Sequence, residues 1–281
     1  MVYHLVVYIN SSVLTNILKL IYHLLFGYVI SAQFFQSANA STSIQLETSI
    51  KSFHYTEYAE DNSILNRESG SVPGLGAKFN HSLSFVEFEI NADVYAGLID
   101  YDGQTQGGTP YKTQTDTVIS DIGLLARFQL VPQQHFITVS YGNDLWRRDI
   151  LPNNGILGLY ETYRWSTMKM GYEYRQRSGS HLIIFATEYL QHSNSEMKIN
   201  FDGINPATIP LKDAAGWQGR IGYVYEFYNK WLLSIQYQYQ QWSSERSENV
   251  LIDSQFGQVL IHEPRSKTLS DNFKIYLNYQ F

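Results

Sequence analysis

The residues best suited to chemistry in this chain sit in short clusters. His81-Ser82 and His192-Ser193-Asn194-Ser195 set an imidazole beside hydroxyls, the raw material of a base and a nucleophile. On a strand, a base and nucleophile share a face only when two residues apart, because neighbours point to opposite sides. Neither pair works in a regular strand, and only a bulge would bring His192 and a serine together. Asp100-Tyr101-Asp102 has the two-residue spacing, so its carboxylates share a face and could activate water if a histidine opposed them. The later polar stretch that would oppose it holds Asp202 and Asp213 but no histidine. His262-Glu263-Pro264 is a lone loop triplet, read as surface decoration. Neither a Gly-rich phosphate loop with its lysine nor a His-Glu-x-x-His metal helix is present. The acids of the polar connections (Glu60, Asp61, Glu68, Asp102, Asp116) would hold divalent cations only loosely. The expectation is therefore a protein without cofactor, metal centre or catalytic residues.

Most remaining charges recur at alternate positions, which shows what must position them. Between 86 and 101, Phe88, Ile90, Ala92, Val94, Ala96 and Leu98 fall on one face, and Glu87, Glu89, Asn91, Asp93 and Tyr95 on the other. That is the period of a strand with one greasy and one wet side. Ten such segments follow one another, at about 43–58, 75–82, 86–101, 117–131, 136–148, 155–174, 181–200, 217–227, 231–242 and 273–281. The sixth has a blurred register, and a bulge near Trp165 is expected there. Polar connections alternate long and short, with 59–74, 102–116 and 243–267 read as long loops. The wet faces carry both signs. Glu47, Glu87, Glu89, Asp93, Asp121, Glu173, Glu188 and Glu226 are the acids; Lys51, Lys78, Arg127, Lys169, Arg220 and Lys274 are the bases. If the wet faces turn inward, these groups pair across a narrow lumen, since charges removed from water need partners.

Composition agrees with this plan. Only 16% of residues are charged, while tyrosine numbers 22 and cysteine 0. A net charge of −6 argues against nucleic acid as a partner. A mean hydropathy of −0.25 excludes a helical membrane bundle but not a barrel whose strands are half apolar. Residues 1–40 differ in kind. Lys19 is their one charged residue; Leu20 to Ile30 follows as a hydrophobic run, then Ala38-Asn39-Ala40. This reads as a secretory signal cut after Ala40, leaving 41–281 as the mature domain.

The last nine residues finish the pattern. Phe273, Ile275, Leu277, Tyr279 and Phe281 alternate with Lys274, Tyr276, Asn278 and Gln280, and the sequence stops on the aromatic. This stretch resembles the terminal strand of Gram-negative outer-membrane β-barrel proteins of the type ending in phenylalanine. The resemblance implies an all-β, antiparallel, up-and-down transmembrane barrel of about ten strands, placed in the outer membrane after export. It also implies that Phe273, Ile275, Leu277, Tyr279 and Phe281 are read by the barrel-assembly machinery, and that lipid and lipopolysaccharide surround the protein. The expected function is a structural or interaction barrel, or a narrow porin-like channel with a charge-paired lumen. The alternative is an outer-membrane hydrolase with its site at the extracellular rim. Within the same class, phospholipases and lipid A deacylases use His-x-Ser, of which His192-Ser193-Asn194-Ser195 is an out-of-register likeness. The ten-stranded omptin proteases combine an Asp pair with an Asp-His pair; Asp100-Tyr101-Asp102 resembles the first half, and the second is missing.

Overall fold

The computed structural model describes residues 41–281 apart from 106–107, 202–203 and 255–256. Residues 1–40, which the sequence leads one to expect as a secretory signal, and Asp202 lie outside the described residues. The described chain is built of strands: β1 Ser41–Tyr58, β2 Ile64–Ser82, β3 Val86–Gln104, β4 Pro110–Val131, β5 His135–Ile150, β6 Leu159–Ser178, β7 His181–Phe201, β8 Ile204–Pro210, β9 Ala214–Tyr228, β10 Trp231–Ser244, β11 Val250–Ser254, β12 Gly257–Ile261 and β13 Arg265–Gln280. Ten of them form a ring in which β1 to β7 pair in sequence, β7 pairs with β9, β9 with β10, β10 with β13, and β13 returns to β1. Every pairing is antiparallel. Closure satisfies the backbone N–H and C=O groups that an open sheet edge would leave unpaired.

The turns joining β2 to β3, β4 to β5, β6 to β7 and β9 to β10 are short and lie at one end. At the other end the strands run much further than their apolar pattern. The stretches read as loops at 64–74 and 110–116 are ladder residues of β2 and β4, and 243–267 contains β11 and β12. Only five residues, 59–63, connect β1 to β2, closed by Ala59 N–H donating to the Ser63 carbonyl at 2.8 Å. Ladder hydrogen bonds need no greasy face, so strands continue where both faces have turned polar. The expected bulge is present opposite Trp165, but the extra residue belongs to β7, where Asn194 takes a φ of 51°.

The outer face divides into two zones. Toward the short turns it is apolar, with Leu46, Leu75, Phe88, Leu124, Met170, Phe185, Ile221, Ile235 and Leu277 all exposed. Toward the other end the outward residues become His54, Arg67, Asp100, Asp116 and Arg164. The side chains of this upper zone that point inward form the hydrophobic core, centred on Phe53, Tyr55, Tyr95, Ile119, Trp146 and Tyr163. The β7–β8 and β11–β12 hairpins fold onto it through Met197, Ile209, Ile252 and Ile261.

Candidate functional site

The lumen is crossed by two tiers of ion pairs with aromatic side chains between them. In the lower tier, Lys274 Nζ lies 2.9 Å from Glu47 Oε1 and 3.1 Å from Asp93 Oδ2. Strand register makes this bridge. Glu47 sits opposite Gly76, and Gly76 opposite Asp93. A Cβ on Gly76 would stand 2.0 Å from Asp93 Oδ1, so the glycine leaves the space in which Asp93 lies.

Nearer the short turns, Arg127 donates to Glu89 at 2.6 Å, and Lys78 approaches the same carboxylate at 3.5 Å. Glu173 receives Arg220 at 2.5 Å, Arg175 at 2.7 Å and Arg127 at 3.5 Å. Arg175 also holds Glu87 with two parallel hydrogen bonds of 2.9 and 2.8 Å. Such bidentate pairs combine strength with fixed geometry.

Other expected members stand apart. Glu188 accepts from Gln218 at 2.6 Å and Thr138 at 3.2 Å and makes no ion pair among the described residues. Lys51 Nζ lies 4.4 Å from the Tyr95 ring, Lys169 donates to Gln218 at 3.1 Å, and Asp121 accepts from Asn91 at 3.1 Å. Glu226 is exposed at the barrel end, and none of its contacts is an ion pair among the described residues. Its position two residues before the end of β9 leaves its side chain in solvent.

The upper tier was not anticipated. Arg148, 2% exposed, donates to Glu161 at 2.6 Å, to the Tyr163 hydroxyl at 2.9 Å and to Glu57 at 3.4 Å. Its Nε reaches Glu68 Oε1 at 2.6 Å, and its Nη2 contacts the same oxygen. Glu263, from the connection between β12 and β13, accepts from the Tyr55 and Tyr163 hydroxyls, each at 2.9 Å. Trp146 sits beside this tier, 5.0 Å from Phe53, 5.1 Å from Tyr55 and stacked on Tyr163 at 5.0 Å, with its Nε1 donating to Thr117 at 2.7 Å.

These carboxylates lie above the apolar zone. Burial raises the carboxyls of Glu68, Glu161 and Glu263 above their ordinary value, reinforced by neighbouring carboxylates and opposed by Arg148. Glu161 is pushed up to about 7. Glu263 is held well above the carboxylate range, and burial raises the Tyr55 and Tyr163 hydroxyls well above theirs.

A longer reading of the alternation would have found part of this tier. Ser49, Lys51, Phe53, Tyr55 and Glu57 continue the inward face of Glu47, and Asp144, Trp146 and Arg148 share a face of β5. Glu68 and Glu263 are buried rather than a loop acid and a surface group as their sequence suggests, because nothing local marks a polar stretch as buried.

The sequence clusters are separated. Asp100 and Asp102 point outward, and Asp102 pairs with Lys112 at 2.7 Å on the exposed surface. Tyr101, between them, is the inward residue. Asp213 is exposed between β8 and β9. His81 contacts Thr42 at 3.0 Å. His192 turns inward and bonds through Nδ1 to Thr167 at 2.8 Å rather than to Ser193 or Ser195.

A closed ten-stranded antiparallel ring, greasy outside and ionised inside, defines the outer-membrane-barrel class of architecture. No family model matches the sequence, and no curated protein matches it. Among solved structures the chain is similar to the outer-membrane protease OmpT from Escherichia coli, with a TM-score of 0.58 at 11% identity over 88% of this chain and 98% of that one. That likeness concerns the fold alone. The translocator domain of the autotransporter NalP from Neisseria meningitidis matches with a TM-score of 0.41 at 8% identity, over 99% of this chain and 100% of that one. The outer membrane protein OprG from Pseudomonas aeruginosa matches with 0.38 at 10%, over 85% and 95%.

Proposed function

We propose that this chain is an integral protein of a Gram-negative outer membrane, exported by its N-terminal segment and embedded by its apolar zone. In this reading it is a sealed structural and interaction barrel rather than a pore. Lipid covers the greasy exterior, lipopolysaccharide meets the polar outward residues above it, and the terminal strand through Phe281 is read during assembly. The single observation that carries the reading is the doubly bridged lumen: Lys274 and Arg127, each paired with two carboxylates, below, and Arg148 with its three glutamates above. Buried charges held this way cannot pass hydrated ions without breaking partners worth several kcal/mol each. Function then lies on the outside, at the rim that β8, β11 and β12 extend. Planar-bilayer recording tests the sealed barrel. The expected result is no steady current for the wild type. Steady cation-selective current abolished by Glu89→Gln would replace it with a channel.

A further inference from the structure

The β11–β12 hairpin is a flap clasped at its own base. Glu263 N–H donates to Ser247 Oγ at 2.8 Å, and Ser247 N–H donates to the Glu263 carbonyl at 2.9 Å. Within the clasp, β11 pairs with β12 along all five of its residues. Among the described residues, the ladder joins this flap to the barrel at a single pair, Ser254 opposite Ile204. Exposed ion pairs at its edge, Lys212 with Glu248 at 2.5 Å and Arg246 with Glu60 at 3.7 Å, contribute little. Docking then rests on two contacts. Ile252 and Ile261 meet the aromatic core, and the Glu263 carboxyl reaches the Tyr55 and Tyr163 hydroxyls of the barrel wall.

The second contact is short of a proton. The Tyr163 oxygen lies 2.9 Å from Glu263 and 3.1 Å from Glu161, and Arg148 donates to it at 2.9 Å. A phenol has one proton. Donated to Glu263, it leaves the Glu161 contact to a proton that Glu161 itself must carry. The surroundings supply no other remedy. Tyr55 and Glu57 face this point from β1, Glu68 from β2, Tyr101 from β3, Arg148 from β5, and Glu161 and Tyr163 from β6. Four glutamates thus share one arginine, with no second cation paired to them among the described residues. Burial accordingly holds Glu161 and Glu263 above the ordinary carboxyl value.

We propose that the flap is a pH-operated latch on the barrel mouth, docked while Glu161 and Glu263 keep a proton between them and released when they lose it. With both ionised, two buried carboxylates meet across one phenolic proton. Lifting the flap relieves that contact by giving Glu263 back to water. Because both values are raised by folding, the docked form is fully supported below the unfolded value of 4.5 and loses support as pH rises through about 7, the folded value of Glu161. Release draws Ile252 and Ile261 off the aromatic core, while the ion pairs of the lower tier stay in place.

The chain has no cysteine, so spin labels can be placed in pairs. Leu260→Cys on the flap and Asp100→Cys on the outer wall, both exposed, report the flap-to-wall distance by pulsed electron resonance on the full mature barrel in detergent. Asp100→Cys with Tyr160→Cys reports the wall alone. The expected result is one flap distance at pH 5.5, a second that becomes the major population at pH 8.5, and a wall distance that stays constant. Glu263→Gln accepts from the same hydroxyls and cannot ionise, so it should keep the pH 5.5 distance at both values. Glu161→Gln should do the same and serves if the first variant does not fold. A flap distance unmoved by pH, a wall distance that moves with it, or the same pH response in the glutamine variants would overturn the latch.

Discussion

Replacing Arg148 by methionine keeps most of the side-chain volume and removes the cation from the upper tier. Arg148 forms ion pairs with Glu57, Glu68 and Glu161, and all three carboxylates are buried. Without it, a buried carboxylate takes up a proton rather than remain charged. Breaking a buried pair by removing one partner costs ~3–5 kcal/mol. The loss shrinks at lower pH, where protonating the abandoned carboxylates takes less free energy. Arg148→Met should therefore lose about 4 kcal/mol of unfolding free energy at pH 7.5 and less at pH 5.5. Urea unfolding of vesicle-embedded barrel, followed by tryptophan fluorescence, measures both, since Trp146 sits beside the tier. A loss under about 1 kcal/mol at pH 7.5, or the same loss at both pH values, would refute the claim that Arg148 neutralises these carboxylates.

Wild-type rim stability should fall as pH rises. A glutamate whose folded value is raised stabilises below its unfolded value of 4.5 and loses that contribution through its folded value, about 7 for Glu161. Hydrogen exchange of the β11–β12 hairpin, corrected for intrinsic rate, should show more opening at pH 8 than at pH 6, and Glu263→Gln should flatten the difference. Gly76→Ala should cost about 1–3 kcal/mol by overpacking against Asp93; a double-mutant cycle with Asp93→Ala should recover much of the loss, and additivity would show that the two do not meet. Removing Phe281 should lower the heat-modifiable fraction in cells while leaving refolding in detergent near wild type, since the proposed role of that residue is to be read during assembly.

The period-two alternation by itself determined the class of fold, because in a strand the side-chain period is a property of the backbone. It also determined which charges face inward in the lower tier: Glu47, Asp93, Glu89, Arg127, Glu173 and Lys274 follow from parity alone. What it could not convey is where strands stop. Around Glu57, Glu68 and Arg148 both faces are polar, so the contrast that reveals a strand fades while the backbone ladder continues. Pairing partners were equally hidden. Lys274 meets Glu47 and Asp93 across a sequence distance of some 180 to 230 residues, and only ring closure between β13 and β1 brings them together. Glu263 likewise reaches Tyr55 across 208 residues, whereas Asp121 meets Asp144 through the register of the β4–β5 hairpin. Residue type states what a side chain can do; register and closure decide which other side chain it does it with.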